Sequence, residues 1–281
     1  MVHAKKRFGQ NFLIDEDITE QIADSACLTR EDTVLEIGPG TGALTKRLAA
    51  RAGRVLAVEI DESLGKTLEE TLGGMEHVSV LYQDILKCDL DALRADHNDG
   101  RAFKVVANLP YYISTPVIMK LLQDTVPPLS CTVMVQKEMG ERMCASPGGK
   151  EYGALSVAVQ YYARPELICE VPPSAFRPQP KVTSAVIRLV PLESAPVSVK
   201  DRDFFFRVTE GAFAHRRKTL VNSLSADASL GLSKERIAEA LRALAGDGLL
   251  SQGGKEAPPE NIRAERLSIR AFAALADRLG E

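Results

Sequence analysis

Short β-branched runs alternate with helical patterns along the first 190 residues of this chain, and that rhythm restricts the fold more than any other feature. Parallel strands need crossover connections, so the pattern predicts βαβ units: an α/β sheet with helices on both faces. The runs expected to be strands are Thr33–Ile37, Val55–Glu59, Val78–Tyr82, Lys104–Ala107, Thr132–Gln136, Leu155–Tyr162 and Ala185–Val190. Leu44 and Leu48, four apart, mark a helix that begins near Gly42. Asp15 is placed to cap an earlier helix with Ile18 and Ile22 on its apolar face, and Asp15, Glu16 and Asp17 suit its positive end.

After Val190 the strand patterns stop. Residues 191–202 carry two of the prolines and read as a linker, which leaves a sheet domain over 1–190 and a small helical domain over 203–281. Within the latter, Leu232-Ser233 with Ile237 and Leu267-Ser268 with Phe272 each set a cap between apolar partners, a hydrophobic staple. No apolar run approaches the ~20 residues of a membrane helix. The opening residues have charge but no apolar core behind it, unlike a signal peptide. The five cysteines are an odd number without zinc-site spacing, so no metal is expected and a reducing, cytoplasmic location is.

The chemistry starts at Val34-Leu35-Glu36-Ile37-Gly38-Pro39-Gly40-Thr41-Gly42, a glycine loop between a strand and a helix. Such a loop lets the backbone approach a ligand at the carboxyl edge of an open sheet. The dinucleotide fingerprint would put its third glycine at 43, where this chain has Ala43. Glu59 ends the next strand and can accept from both hydroxyls of a ribose, and Asp84 follows the third strand, where an adenine amino group could donate to it. These acids predict a nucleoside site and leave a nicotinamide cofactor and S-adenosylmethionine both open.

The fourth strand runs into Asn108-Leu109-Pro110-Tyr111, which decides between them. The amino nitrogen of adenine is a poor nucleophile because its lone pair is delocalised into the ring. Two acceptors, Asn108 Oδ1 and the Leu109 carbonyl, can hold its hydrogens, draw it toward tetrahedral geometry and aim the lone pair at a methyl carbon. Pro110 stiffens the turn and biases Leu109 toward an extended conformation, and Tyr111 offers a ring for the base.

With these residues in view, the chain resembles the ribosomal RNA adenine dimethyltransferases, and within them the small-subunit branch. The resemblance runs through Phe8–Leu13, Glu36–Gly42, Val58–Asp61, Gln83-Asp84 and Asn108–Tyr111, then Lys150–Gly153, Val171–Phe176, Pro178, Pro180–Val182 and Ser184, and closes on Glu210–Phe213 with Arg216–Lys218. It implies a Rossmann-like S-adenosylmethionine-dependent methyltransferase sheet. It also implies that Asn11 and Leu13 contact the far end of the cofactor and that Gly38 lies against its methionine part. Glu59 would hold the ribose, Asp84 would read the adenine, and Asn108 would bridge cofactor and target. Phe176 is implied to stack on the target base opposite Tyr111. The substrate so implied is a pair of adjacent adenosines in the 3′-terminal hairpin loop of small-subunit ribosomal RNA, within a pre-ribosomal particle.

The net charge of −3 argues against a generic nucleic-acid binder, yet the cations are unevenly spread. Lys200, Arg202, Arg207, Arg216, Arg217 and Lys218 outweigh Asp201, Asp203 and Glu210. His215, Arg216, Arg217 and Lys218 are the expected phosphate contacts, with Lys5, Lys6 and Arg7 in support. Nothing marks a dimer face, so a monomer is expected. Three other readings stand beside this one: the sister branch that methylates large-subunit ribosomal RNA, an assembly factor for which binding matters more than methylation, and a nicotinamide-dependent dehydrogenase. Gly9 and the Val171–Ser184 segment favour the small-subunit branch, and Ala43 with the Asn108–Tyr111 turn disfavours the dehydrogenase.

Overall fold

Helix α1 (Glu16–Ser25) begins at the predicted cap, with the Asp15 carboxylate accepting the Ile18 amide hydrogen at 3.1 Å. Before it, strand β1 (Phe12–Leu13) pairs antiparallel with a second short strand, Phe176–Arg177, in a two-stranded ribbon. The main sheet is built from β2 (Thr33–Ile37), β3 (Arg54–Glu59), β4 (Val78–Tyr82), β5 (Lys104–Asn108), β6 (Ser130–Gln136), β7 (Ala163–Val171) and, after the ribbon strand β8 (Phe176–Arg177), β9 (Ser184–Pro191). Its order is β4-β3-β2-β5-β6-β9-β7. This computed structural model describes residues 4–5, 8–250 and 258–281.

Strands β2 to β6 run parallel, joined by α2 (Ala43–Ala49), α3 (Gly65–Leu72), α4 (Leu90–Asn98) and α5 (Ser114–Leu122). The chain leaves β2 toward β3 on one side and enters β5 on the other, so a crevice opens at the carboxyl ends of β2 and β5, where open α/β sheets bind ligands. Strand β9 runs antiparallel to both β6 and β7, which makes the sheet mixed rather than wholly parallel. The connection 172–183 holds only a short 3-10 turn and β8, and antiparallel neighbours need no helical crossover. Ile22, Val34, Leu48, Val55, Val106, Met134 and Val186 belong to the buried core of this unit.

The chain forms two compact units, Met1–Gly140 with Ala163–Pro191, and Glu141–Tyr162 with Leu192–Glu281. Residues 141–162 therefore cluster with the helices, although the sequence pattern assigns them to the sheet domain. The expected strand Leu155–Tyr162 lies in helix α7 (Ala154–Tyr162), which follows α6 (Lys137–Cys144). Ser156, Val157, Val159 and Tyr161 are all buried, so no polar face reveals the helical period. The segment 192–201 has neither helix nor strand, and α8 (Arg202–Phe213), α9 (Leu220–Leu224), α10 (Lys234–Gly246) and α11 (Ile269–Leu279) follow. Ser233 caps α10 and Ser268 caps α11, each hydroxyl accepting an amide hydrogen at 3.2 Å. Both staple pairs, Leu232 with Ile237 and Leu267 with Phe272, lie in the separate core of this unit. No helix among the described residues is long and apolar enough to cross a membrane.

Candidate active site

A cleft of about 320 Å³ opens at the carboxyl ends of β2, β3 and β5. Its lining includes the glycine loop, Glu59, Asp84, the Asn108–Tyr111 turn, Asn11 and Leu13 from the N-terminal segment, and Phe176 from β8. All the predicted cofactor-binding and catalytic residues thus border one cleft, within one unit.

The floor is the loop after β2. Gly38, Gly40 and Gly42 all have positive φ, and the Gly38 amide donates to the Val58 carbonyl at 2.9 Å. At Gly40 a side chain is excluded twice: its φ is +57°, and a Cβ would come to 3.0 Å from the Phe12 ring. The N-terminal segment therefore lies against the glycine loop. Gln10 Nε2 donates to Asp61 at 3.0 Å and Lys5 Nζ donates to the same carboxylate at 2.7 Å. Ser63 adds its amide and hydroxyl. Burial alone would raise the Asp61 pKa, but bonds from Lys5, Ser63 and Gln10 hold it at about 2. The sequence pattern did not reveal this anchoring, because nothing in it links Lys5 to Asp61.

Three carboxyls shape the electrostatics. Glu59 accepts the Gly40 amide at 3.1 Å and the Asp61 amide at 2.9 Å, one on each oxygen. A carboxylate offers about four lone-pair positions, so each oxygen keeps room for a hydroxyl. Burial raises the Glu59 pKa in spite of these bonds. Asp84 uses one oxygen to accept the Leu86 amide at 3.0 Å, and no described residue donates to the other. Glu36 is only 1% exposed and its Oε2 has no hydrogen-bond partner. Burial, with repulsion from Glu59, pushes its pKa up to about 8.

At the end of β5, Asn108 Nδ2 donates to the Asn11 carbonyl at 3.2 Å, which sets the amide orientation. Its Oδ1 and the Leu109 carbonyl accept from no described donor. The Leu109 amide donates to the Met134 carbonyl at 3.2 Å, so the turn is tied to β6. The Tyr111 hydroxyl shares a 2.8 Å hydrogen bond with the fully buried Ser184 of β9, a positioning pair that local sequence could not disclose. Phe176 is 2% exposed and packs in the core with Leu13 and Met134, so it is a wall of the cleft as well as a packing residue.

The expected phosphate contacts are placed differently. Lys6 and Arg7 lie outside the described residues. Lys5 is met by Asp61 and Ser63, so its ammonium anchors the N-terminal segment rather than standing free. His215, Arg216, Arg217 and Lys218 are exposed in the helical unit just after α8. Arg216 departs from its expected role: its guanidinium donates to the Lys150 carbonyl at 2.5 Å and to the Tyr152 carbonyl at 2.9 Å, bracing that turn.

Residues 1–243 match the family model of the ribosomal RNA adenine dimethylases. The chain belongs to this family. It is 48% identical over 98% of its length, and 92% of the relative's, to the ribosomal RNA small subunit methyltransferase A of Alkaliphilus oremlandii. Against the protein of the same name from Bacillus licheniformis it is 47% identical over 99% of this chain and 91% of that one. Its fold is similar to a dimethyladenosine transferase from Plasmodium falciparum, with TM-score 0.72 and 26% identity over 94% and 95% of the two chains. It is also similar to the 23S rRNA methyltransferase ErmE, with TM-score 0.66 and 26% identity over 96% and 100%.

As a ribosomal RNA adenine dimethylase, the chain is an S-adenosylmethionine-dependent methyltransferase. The cleft suits that cofactor. Its glycine floor admits close approach, and the buried Glu36 carboxyl, with Oε2 unpartnered, suits the cationic end of the molecule. The dehydrogenase reading is thereby set aside.

Proposed function

We propose that the chain dimethylates N6 of two adjacent adenosines in the 3′-terminal hairpin loop of small-subunit ribosomal RNA. It acts in the cytoplasm, as a monomer, on a pre-ribosomal particle. The observation that carries the chemistry is the pair of unoccupied acceptors, Asn108 Oδ1 and the Leu109 carbonyl, at the end of β5 in the cleft that also holds Glu59 and Asp84. The relatives at 48% and 47% identity, both named for the small subunit, support that branch over the large-subunit one represented by ErmE at 26%.

In this reading Asn11, Leu13, Gly38, Glu59, Asp84 and Asn108 hold S-adenosylmethionine, which supplies a methyl group on a sulfonium that leaves as a neutral thioether. Glu59 accepts the ribose hydroxyls and Asp84 accepts the adenine amino group. The target adenosine must leave any stack to reach the cleft, so an unpaired loop is the suitable substrate. Asn108 and Leu109 accept the hydrogens of its amino group, Pro110 keeps the turn rigid, and Tyr111 and Phe176 confine the base. The chain's part in the step is orientation and hydrogen bonding: the new N–C bond forms as the S–C bond breaks, and the methylated nitrogen then gives its extra proton to water, so no ionised base is required. His215, Arg217 and Lys218 take phosphates of the docked RNA.

The test is methyl transfer from labelled S-adenosylmethionine to under-methylated small subunits, large subunits and protein-free ribosomal RNA, with mass mapping of the products. Dimethyladenosine at two adjacent small-subunit positions is expected. Label confined to large-subunit RNA would overturn the branch assignment. Asn108→Ala should cut transfer at least about a hundredfold, since misplacement of a reacting group by an ångström costs that much. The same variant should still bind the particle.

A further inference from the structure

We propose that Tyr112 is a platform on which the RNA base next to the target adenosine stacks. The inference rests on the methyl-transfer reading above and adds how the strand is held once the target has left its stack. Tyr112 is 59% exposed, more than any other large hydrophobic side chain among the described residues. Single exposed apolar side chains are ordinary on a protein surface, so exposure alone decides nothing. Of the nine such residues, however, only Tyr112 and Ile60 border the cleft.

The local geometry makes Tyr112 a one-sided platform. A Cβ built on Gly9 would lie 3.3 Å from both Cδ1 and Cε1 of the ring, so the ring rests on the bare glycine backbone. Gly9 has φ +58°, a conformation that itself favours glycine. The Pro110 ring lies 3.7 Å from the same built Cβ, so a rigid turn supports the arrangement. The ring is thus backed by protein along its Cδ1–Cε1 side, while 59% of the residue is open to solvent. The Tyr112 hydroxyl bonds to no described residue.

The two other aromatic walls of the cleft are already committed. Tyr111 is held through its hydroxyl by Ser184, and Phe176 is buried among core side chains. They can border a base that enters the cleft, but neither offers an open face outside it. Tyr112 follows Tyr111 directly, so it stands at the mouth where the nucleotide flanking an inserted base must pass. Stacking of bases on aromatic side chains is a sequence-tolerant way to hold a single strand, because every base has a π-face. A strand that must present two neighbouring adenosines in turn needs that tolerance.

The test uses the full chain with S-adenosylmethionine and the RNA hairpin carrying the target adenosines, presented both free and ligated into under-methylated small subunits. An abasic nucleotide replaces the base on one side of the target, then on the other, and kcat/KM for RNA is compared in wild type, Tyr112→Ala and Tyr112→Phe. One of the two abasic substitutions should cost the wild type about ten- to a hundredfold. Tyr112→Ala should lose a similar factor on intact RNA and little more on the abasic RNA, with its S-adenosylmethionine affinity unchanged. Tyr112→Phe should retain most activity. Penalties that simply multiply in the double combination would overturn the proposal, as would full activity of Tyr112→Ala on intact RNA. Should Tyr112→Ala fail to fold, 2-aminopurine in place of the flanking base gives the answer in wild type alone. Quenching on binding is expected, and unquenched emission refutes stacking. Absence of any methyl transfer by the wild type, on hairpin and on subunits alike, would instead sink the underlying reading.

Discussion

Glu36 is the residue whose environment has the clearest consequence for solution behaviour. Its carboxyl is raised from an ordinary 4.5 to about 8 by burial, with Glu59 adding repulsion. An acid raised on folding favours the folded state fully below its unfolded pKa, and that contribution is lost as pH rises through about 8. Binding has the opposite sense, because a cationic ligand is best met by the ionised carboxylate. S-adenosylmethionine affinity should therefore increase with pH up to about 8 and then level off, by at most about tenfold for each unit that binding lowers the Glu36 pKa. Calorimetric titration over roughly pH 6 to 9 checks this. Glu36→Gln should flatten the rise, and S-adenosylhomocysteine, without the sulfonium charge, should show a smaller one. A wild-type affinity independent of pH would show that Glu36 does not face the charge. The acid's place in the motif was legible, since it stands two residues before Gly38. Its burial and unpaired oxygen were not, because both depend on how β2 is sandwiched between β3 and β5.

Among the elements, the inner parallel strands β2, β3, β5 and β6 were readable because strands buried on both faces are continuous apolar runs, as in Val34-Leu35 and Val105-Val106-Ala107. Strand β4, at the edge with no buried residue, was readable only from its β-branched Val78 and Val80. Strand β7 was not. It is an edge strand containing Arg164, Pro165, Glu166 and Glu170, residues that suit an exposed edge and hide a strand from pattern reading. Helix α7 was hidden for the converse reason, being apolar on several sides. A buried cation ties another element in place. Arg94 of α4 is 4% exposed and donates to Asp124 at 2.7 Å, to the Val126 carbonyl at 3.1 Å and to Asp91. Burial would raise the Asp124 pKa, but Arg94 holds it down. Removing the cation leaves a shielded carboxylate unpaired, so Arg94→Ala should lower stability by about 3–5 kcal/mol. Replacing Arg94 and Asp124 together with Met and Leu should recover most of it in denaturant unfolding.

At the scale of the whole molecule, each unit has its own apolar core, and the net charge of −3 conceals a local excess of cations. Phe272 is fully buried in the helical core. Phe272→Ala should cost that unit about 3–5 kcal/mol while leaving unchanged the S-adenosylmethionine affinity proposed for the cleft of the other unit. Thermal unfolding followed alongside cofactor titration distinguishes the two effects. Arg217→Ala and Lys218→Ala should each weaken RNA binding and reduce the salt slope by about one, because each removes a cation able to release a counterion. Arg216→Ala should act otherwise, loosening the turn at Lys150 and Tyr152 that its guanidinium braces. The ribbon of β1 and β8 has a consequence for the order in which the protein comes off the ribosome. It pairs Leu13 with Phe176, so an early segment waits for a partner that is translated much later. The nascent chain can lay down the glycine floor early, but it cannot wall in a cofactor until most of the sheet has emerged. A protein of the ribosomal RNA adenine dimethylase family thus depends on a ribosome to carry translation past Phe176 before its own pocket can close.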